Sequence, residues 1–128
     1  MWRATETNTH QDHVIAHVIG ASALSHFVWD ETAYLRLDIG FIWNIYLDGE
    51  MGLVPETLAF AELRAAGEQL AQKDFEELTR PIANPSPIQS VDFFESENGR
   101  RLVLNCESGS IVLETSFLTR EIRIEHKE

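Results

Sequence analysis

His10, His13 and His17 follow one another at intervals of three and four residues. On a helix that spacing stacks imidazoles along one face, and H-x-x-H-x-x-x-H then offers neutral nitrogen ligands to a transition metal. His26 stands further along as another ligand, so the candidate metal set is His13, His17 and His26. The chemistry demands a helix over residues 10–17. On a strand, His13 and His17 share a face but lie roughly 13 Å apart at about 3.3 Å per residue, too far to hold one ion. No H-E-x-x-H pattern supports the metal reading.

A second constellation is acidic. Asp38, Asp48 and Glu50 fall on or just after one face of an alternating run, with Arg36 and Asn44 on the same face. Two carboxylates about 5–10 Å apart can share acid–base chemistry, and Arg36 can pair with Asp38 or with a substrate anion. The plain alternative is the solvated face of an antiparallel sheet, which has the same composition. Tyr34, Ile42 and Tyr46 lie on this face too and are candidates for a protein interface. On the opposite face, Leu37, Phe41 and Trp43 are either core or the lining of an apolar pocket inside a curved sheet.

Other chemistry finds little support. Cys106 has Asn105 and Glu107 as neighbours and shares the phase of Leu102 and Leu104, as a buried structural thiol would. Ser108-Gly109-Ser110 is a turn and not a nucleophile elbow. Neither a phosphate-binding G-x-x-x-x-G-K-[ST] nor a G-x-G-x-x-G occurs.

The elements that must position these residues begin with AYLRLDIGFIWNIYLD, residues 33–48. Its odd positions are all apolar and its even positions nearly all tolerate water. This is strand periodicity. A single strand of that length would span roughly 50 Å, so a bend at Gly40 is expected, with the phase preserved through it. Upstream, HVIAHVIGASALSHFVW is ambiguous. Val14, Ile15, Val18 and Ile19 share a helical face, and Asp12 is a possible cap. The β-branched residues favour a strand. With the polar break at Asp30-Glu31-Thr32, the expectation is one long bent hairpin over 13–48, centred near Glu31 and bringing Gly20 close to Gly40. Residues 1–12 read as a loose arm. PETLAFAELRAAGEQLAQKDFEELTRP predicts a helical segment over 55–80, with Pro55 at its first position, a break at Gly67 and a stop at Pro81. Residues 88–126 predict an antiparallel meander, with Asn98-Gly99 as a hairpin turn. The fold class is therefore α+β: a strongly bent antiparallel sheet of about six strands, half-open barrel or two-layer, with one helical segment inserted after the first hairpin.

The totals narrow the function. The 128 residues suit one domain. Acids outnumber bases 21 to 10, giving a net charge of −11, and there are only two lysines. Nucleic acid and anionic membrane surfaces would be repelled. A single cysteine and no signal-like start suit a cytoplasmic, reducing setting, and no apolar run is long enough to span a membrane. No cofactor is implied. Sequence alone names no activity. It favours a protein-interaction module acting by self-association or on a basic partner. A binder of a small apolar ligand and a metal-dependent enzyme are the alternatives.

Overall fold

The computed structural model describes residues 1–66 and 78–127. Along the chain run β1 (Arg3–Ala4), α1 (Thr9–Val18), β2 (Ala23–Trp29), β3 (Thr32–Leu37), β4 (Phe41–Tyr46), β5 (Met51–Pro55), α2 (Glu56–Ala66), β6 (Arg80–Pro81), β7 (Ile88–Ser96), β8 (Gly99–Cys106), β9 (Gly109–Ser116) and β10 (Glu121–Lys127). The strands form two five-stranded sheets, ordered β1-β7-β8-β9-β10 and β5-β4-β3-β2-β6. Every strand pairing in them is antiparallel. The class is α+β-like, with α1 and α2 as the helices among the described residues. The single bent sheet of about six strands is corrected to two sheets, which hold ten strands among the described residues.

The run 33–48 does not bend; it reverses. β3 and β4 pair with each other, Leu35 opposite Trp43 and Ala33 opposite Ile45. Asp38, Ile39 and Gly40 make a three-residue loop, with Gly40 at φ +81°. A three-residue hairpin loop closes through a left-handed residue, which glycine adopts without cost. Directly opposed residues in an antiparallel pair point to the same face. An odd loop length therefore lets odd positions oppose odd positions, and the alternation survives the reversal. The β2–β3 hairpin turns on Asp30 and Glu31, both at positive φ (46° and 60°). A register shift between Ala23 and Ser25 then moves β2 from one phase to the other.

Residues 13–19 belong to no strand. α1 begins at a capping box: Asn8 Oδ1 accepts from the Gln11 amide at 2.8 Å, and Gln11 Oε1 accepts from the Asn8 amide at 2.9 Å. These bonds satisfy orphan donors of the first turn. Asn8, not Asp12, is the cap. Val14 and Val18 then face inward, 6% and 0% exposed, and this burial outweighs the strand propensity of the β-branched residues. Gly20, at φ +90°, lies just past the helix in the left-handed conformation that commonly ends one. Gly20 and Gly40 are thus a post-helix residue and a loop residue, not partners across a hairpin. Nor is the N-terminal arm loose throughout, since β1 pairs with β7.

One core joins the two sheets. It combines Leu35, Leu37, Trp43 and Ile45 from one sheet with Leu102, Leu104, Ile111, Leu113 and Ile122 from the other, and Val14 and Val18 add α1 to it. A second, smaller cluster lies on the outer face of the β5-β4-β3-β2-β6 sheet. There α2 sets Ala59, Phe60 and Leu63 on Phe27, Tyr34, Ile42 and Val54. Phe27 and Tyr34 stack with centroids 4.6 Å apart. Pro55 closes β5, and α2 starts one residue later at Glu56. Pro81 belongs to β6, beside Ser25 of β2. The expected break at Gly67 and the rest of the segment to Glu77 lie outside the described residues.

The β7–β8 hairpin turns on Glu97 and Asn98, one residue earlier than Asn-Gly predicts, and neither turn residue has positive φ. Gly99 serves packing instead. A Cβ there would lie 2.0 Å from the Thr115 carbonyl oxygen.

Candidate binding cleft

At one end of the sandwich, three connections converge. The β2–β3 turn supplies Asp30, Glu31 and Thr32. The end of β4 and the loop to β5 supply Tyr46, Leu47, Asp48 and Glu50. The β9–β10 turn supplies Phe117 and Arg120. Together they line an open cleft of about 460 Å³.

Each wall has a local cause. In the β4–β5 loop, Asp48 Oδ1 accepts from the Glu50 amide at 3.0 Å, and the Tyr46 and Glu50 backbones bond at 2.8 Å. The helix α1 buttresses this loop from behind. Buried Gln11 donates to the Gly49 carbonyl at 2.9 Å, and Asn8 Nδ2 donates to Glu50 Oε1 at 3.0 Å. Across the cleft, Arg120 donates through both forks to Glu31, at 2.5 and 2.6 Å. That pairing holds the Glu31 carboxyl below its ordinary range and raises Arg120. Arg100 lies over the Phe117 ring, 5.8 Å from its centroid.

Among the described residues, four carboxylates (Asp30, Glu31, Asp48, Glu50) face one guanidinium (Arg120), so this lining carries a net charge of −3. Tyr46 and Phe117 are 41% and 39% exposed at the same place, with Arg100 already over one face of Phe117. Carboxylates attract a cation and aromatic faces stabilise it further. Among the described residues, the cleft lining includes no His, Cys or Ser.

The cleft brings together three of the residues singled out in the sequence: Tyr46, Asp48 and Glu50. Asp38 lies in the β3–β4 loop, its Oδ1 accepting from the Ser22 amide at 2.9 Å. Arg36 pairs with Glu56 at the start of α2. Asn44 sits on the α2 side of its sheet, with Oδ1 buried and unbonded. Tyr34 and Ile42 are covered, 9% and 0% exposed, because α2 packs over what reads as a wet face. Leu37 and Trp43 are core residues, 1% and 0% exposed, and Phe41 is half-buried; none of the three lines this cleft.

The histidines do what the helix allows and no more. His10 Nε2 bonds the Met51 carbonyl at 2.9 Å, and His17 Nδ1 bonds the His13 carbonyl at 2.8 Å. His13 and His17 are exposed on α1, whereas His26 is half-buried on β2. Among the described residues, no three His, Cys, Asp or Glu side chains form a group able to hold a metal ion. Burial raises the Cys106 thiol above its ordinary value, which suppresses the thiolate.

Sequence marks none of Asp30, Glu31, Phe117 and Arg120 as a site residue; it reads Glu31 as a hairpin centre and Arg120 as a guard of the last edge strand. The only local signal was the polar break at Asp30-Glu31. Nothing in the sequence placed it beside a turn 89 residues away. Among the described residues, no helix is long and apolar enough to cross a membrane. No family model, no curated protein and no solved structure matches this chain.

Proposed function

We propose that this protein is a protein-binding module whose cleft captures a basic segment of a partner, seating a lysine or arginine side chain between Tyr46 and Phe117. The observation that carries the reading is the coincidence, on one concave surface, of a three-charge acidic surplus with two exposed aromatic side chains. An acidic surface whose role is solubility alone has no need of aromatic faces beside its charges. The net charge of −11 would speed the approach of a basic partner. The lone Cys106 suits a cytoplasmic setting.

The test is fluorescence anisotropy with a labelled peptide of alternating arginine and glycine, and with its glutamate counterpart as control. The expected result is saturable binding of the arginine peptide that weakens steeply with salt. Asp48→Asn combined with Glu50→Gln should weaken it at least about tenfold, which is the loss of roughly two exposed charge contacts. Tyr46→Ala should weaken it at unchanged net charge. Equal affinity in wild type and both variants would sink the proposal.

A further inference from the structure

We infer that β10 is a self-recognition edge, and that two copies of this chain join through it about a two-fold axis at Ile124. The proposal is independent of the cleft and goes beyond it.

Unpaired sheet edges invite another strand, and proteins blunt them with short strands, prolines or covering elements. Three of the four edges here are blunted. β1 and β6 are two residues long, and β6 contains Pro81. β5 ends in Pro55, packs beside both helices, and has its Met51 carbonyl bonded by His10. The seven-residue β10 has no such device among the described residues.

Its one protection is charge, and that charge is self-complementary. The outward residues are Glu121, Arg123, Glu125 and Lys127, all exposed. None of the four makes an ion pair within the chain among the described residues. A two-fold axis at Ile124 sets Glu121 opposite Lys127 of the second copy and Arg123 opposite its Glu125. By symmetry this makes four unlike pairs along one face, and Ile124 meets Ile124 on the other. Directly opposed unlike charges stabilise a strand pair, and like charges oppose it. The neighbouring same-face registers fail this criterion. Centring on Arg123 sets Arg123 on itself and Glu121 on Glu125. Centring on Glu125 sets Glu125 on itself and Arg123 on Lys127. Centring on Ile122 or on His126 leaves only two unlike pairs, Glu121 with Arg123 or Glu125 with Lys127, against four at Ile124, so the sequence of this one strand favours the Ile124 register. The edge is also electroneutral, two acids against two bases, on a chain of net charge −11. Two copies thus meet least repulsion there. The paired edges would make one sheet of ten strands, with the two Arg120 residues at opposite ends of the seam, about 27 Å apart along the strand direction at about 3.4 Å per residue.

Sedimentation velocity over a concentration series reaching about 1 mM tests this on the full chain. Wild type should show a monomer–dimer equilibrium. Arg123→Glu and Glu125→Arg should each weaken self-association at least about tenfold, since two symmetry-related pairs change from attraction to repulsion. The two substitutions move net charge in opposite directions, so a shared loss cannot come from general repulsion. Mixing the two variants restores unlike charges at every pair and should restore the dimer as a heterodimer. The doubly exchanged chain should dimerise alone. Far-UV circular dichroism confirms that each variant keeps its sheets. A monomeric wild type, single variants that dimerise as wild type does, or a mixture of folded variants that stays monomeric would each overturn the proposal.

Discussion

Glu31 and Arg120 stand 89 residues apart, yet they form a two-pronged ion pair at 2.5 and 2.6 Å, and both hold the left-handed backbone, at φ 60° and 56°. They tie the tips of two hairpins from different sheets across the cleft mouth. Their neighbour Asp30 shares the conformation, at φ 46°. A two-residue turn with both residues at positive φ favours Asn-Gly, Asp-Gly or Gly-Gly, and this chain has Glu31 where glycine is preferred. The backbone at this turn is thus less stable than it need be.

Asp30→Gly leaves the Glu31–Arg120 pair in place and should still stabilise the protein, because glycine carries no left-handed penalty at all. Relief of the left-handed penalty, less the entropy glycine adds to the unfolded chain, leaves about 0.5 kcal/mol. The urea midpoint should rise with the slope unchanged. A lower midpoint would mean that the aspartate side chain contributes more at this turn than its backbone costs.

Gly99 and Gly52 offer a paired contrast. A Cβ at Gly99 meets the Thr115 carbonyl oxygen at 2.0 Å, whereas one at Gly52 meets nothing within 4 Å. Gly99→Ala must push β8 off β9 and should cost about 2–3 kcal/mol, in the range of an overpacked interior. Gly52→Ala should lie within about 0.5 kcal/mol of wild type. Urea unfolding of both measures the difference, and equal midpoints would mean that the hairpin relaxes freely.

The same hairpin shows what local sequence conveys. Asn98-Gly99 marks a reversal, and there is one, but the glycine is needed for close approach and not for positive φ. Over 33–48 the alternation gives the correct buried face: Ala33, Leu35, Leu37, Trp43 and Ile45 are all buried. It cannot tell one bent strand from two paired ones, because an odd loop preserves parity. At 13–19 the β-branched residues point to a strand, while Asn8 and Gln11 already spell a capping box. Weighing that cap before propensity reverses the reading. Tyr34 and Ile42 look like surface because no period shows that α2 will lie over them. The cleft is the least legible part, since Tyr46, Glu31 and Arg120 meet only through the packing of two sheets.

His26 carries a pH prediction. Burial, Arg80 and His126 lower its affinity for a proton, in that order. A histidine whose folded pKa lies below its ordinary value of 6.5 binds fewer protons folded than unfolded. Stability should then be full above the unfolded value. It should fall as pH drops from there through the lowered folded value, and level off below it. Thermal unfolding from pH 7.5 downward, in buffers of constant ionic strength, should show that decline. In His26→Gln the part due to this residue should be absent. An unchanged slope in the variant would place the linkage on another group.

The capping box is the final test, because Asn8 serves two structures at once. Its Oδ1 caps α1, and its Nδ2 reaches Glu50 at 3.0 Å in the cleft wall. Asn8→Ala removes both and should cost about 1 kcal/mol, the usual loss for a missing N-cap. Asn8→Asp separates the roles. Aspartate caps as well as asparagine and favours the helix N-terminus, but it cannot donate to Glu50 and sets a like charge beside it. The aspartate variant should therefore stay within about 0.5 kcal/mol of wild type in urea unfolding, and its cleft should gain negative charge. If the cleft seats a cation, this variant should bind the arginine peptide at least as tightly as wild type. A loss of peptide binding in a chain of wild-type stability would mean that the Asn8–Glu50 bond, and not the charge, shapes the site.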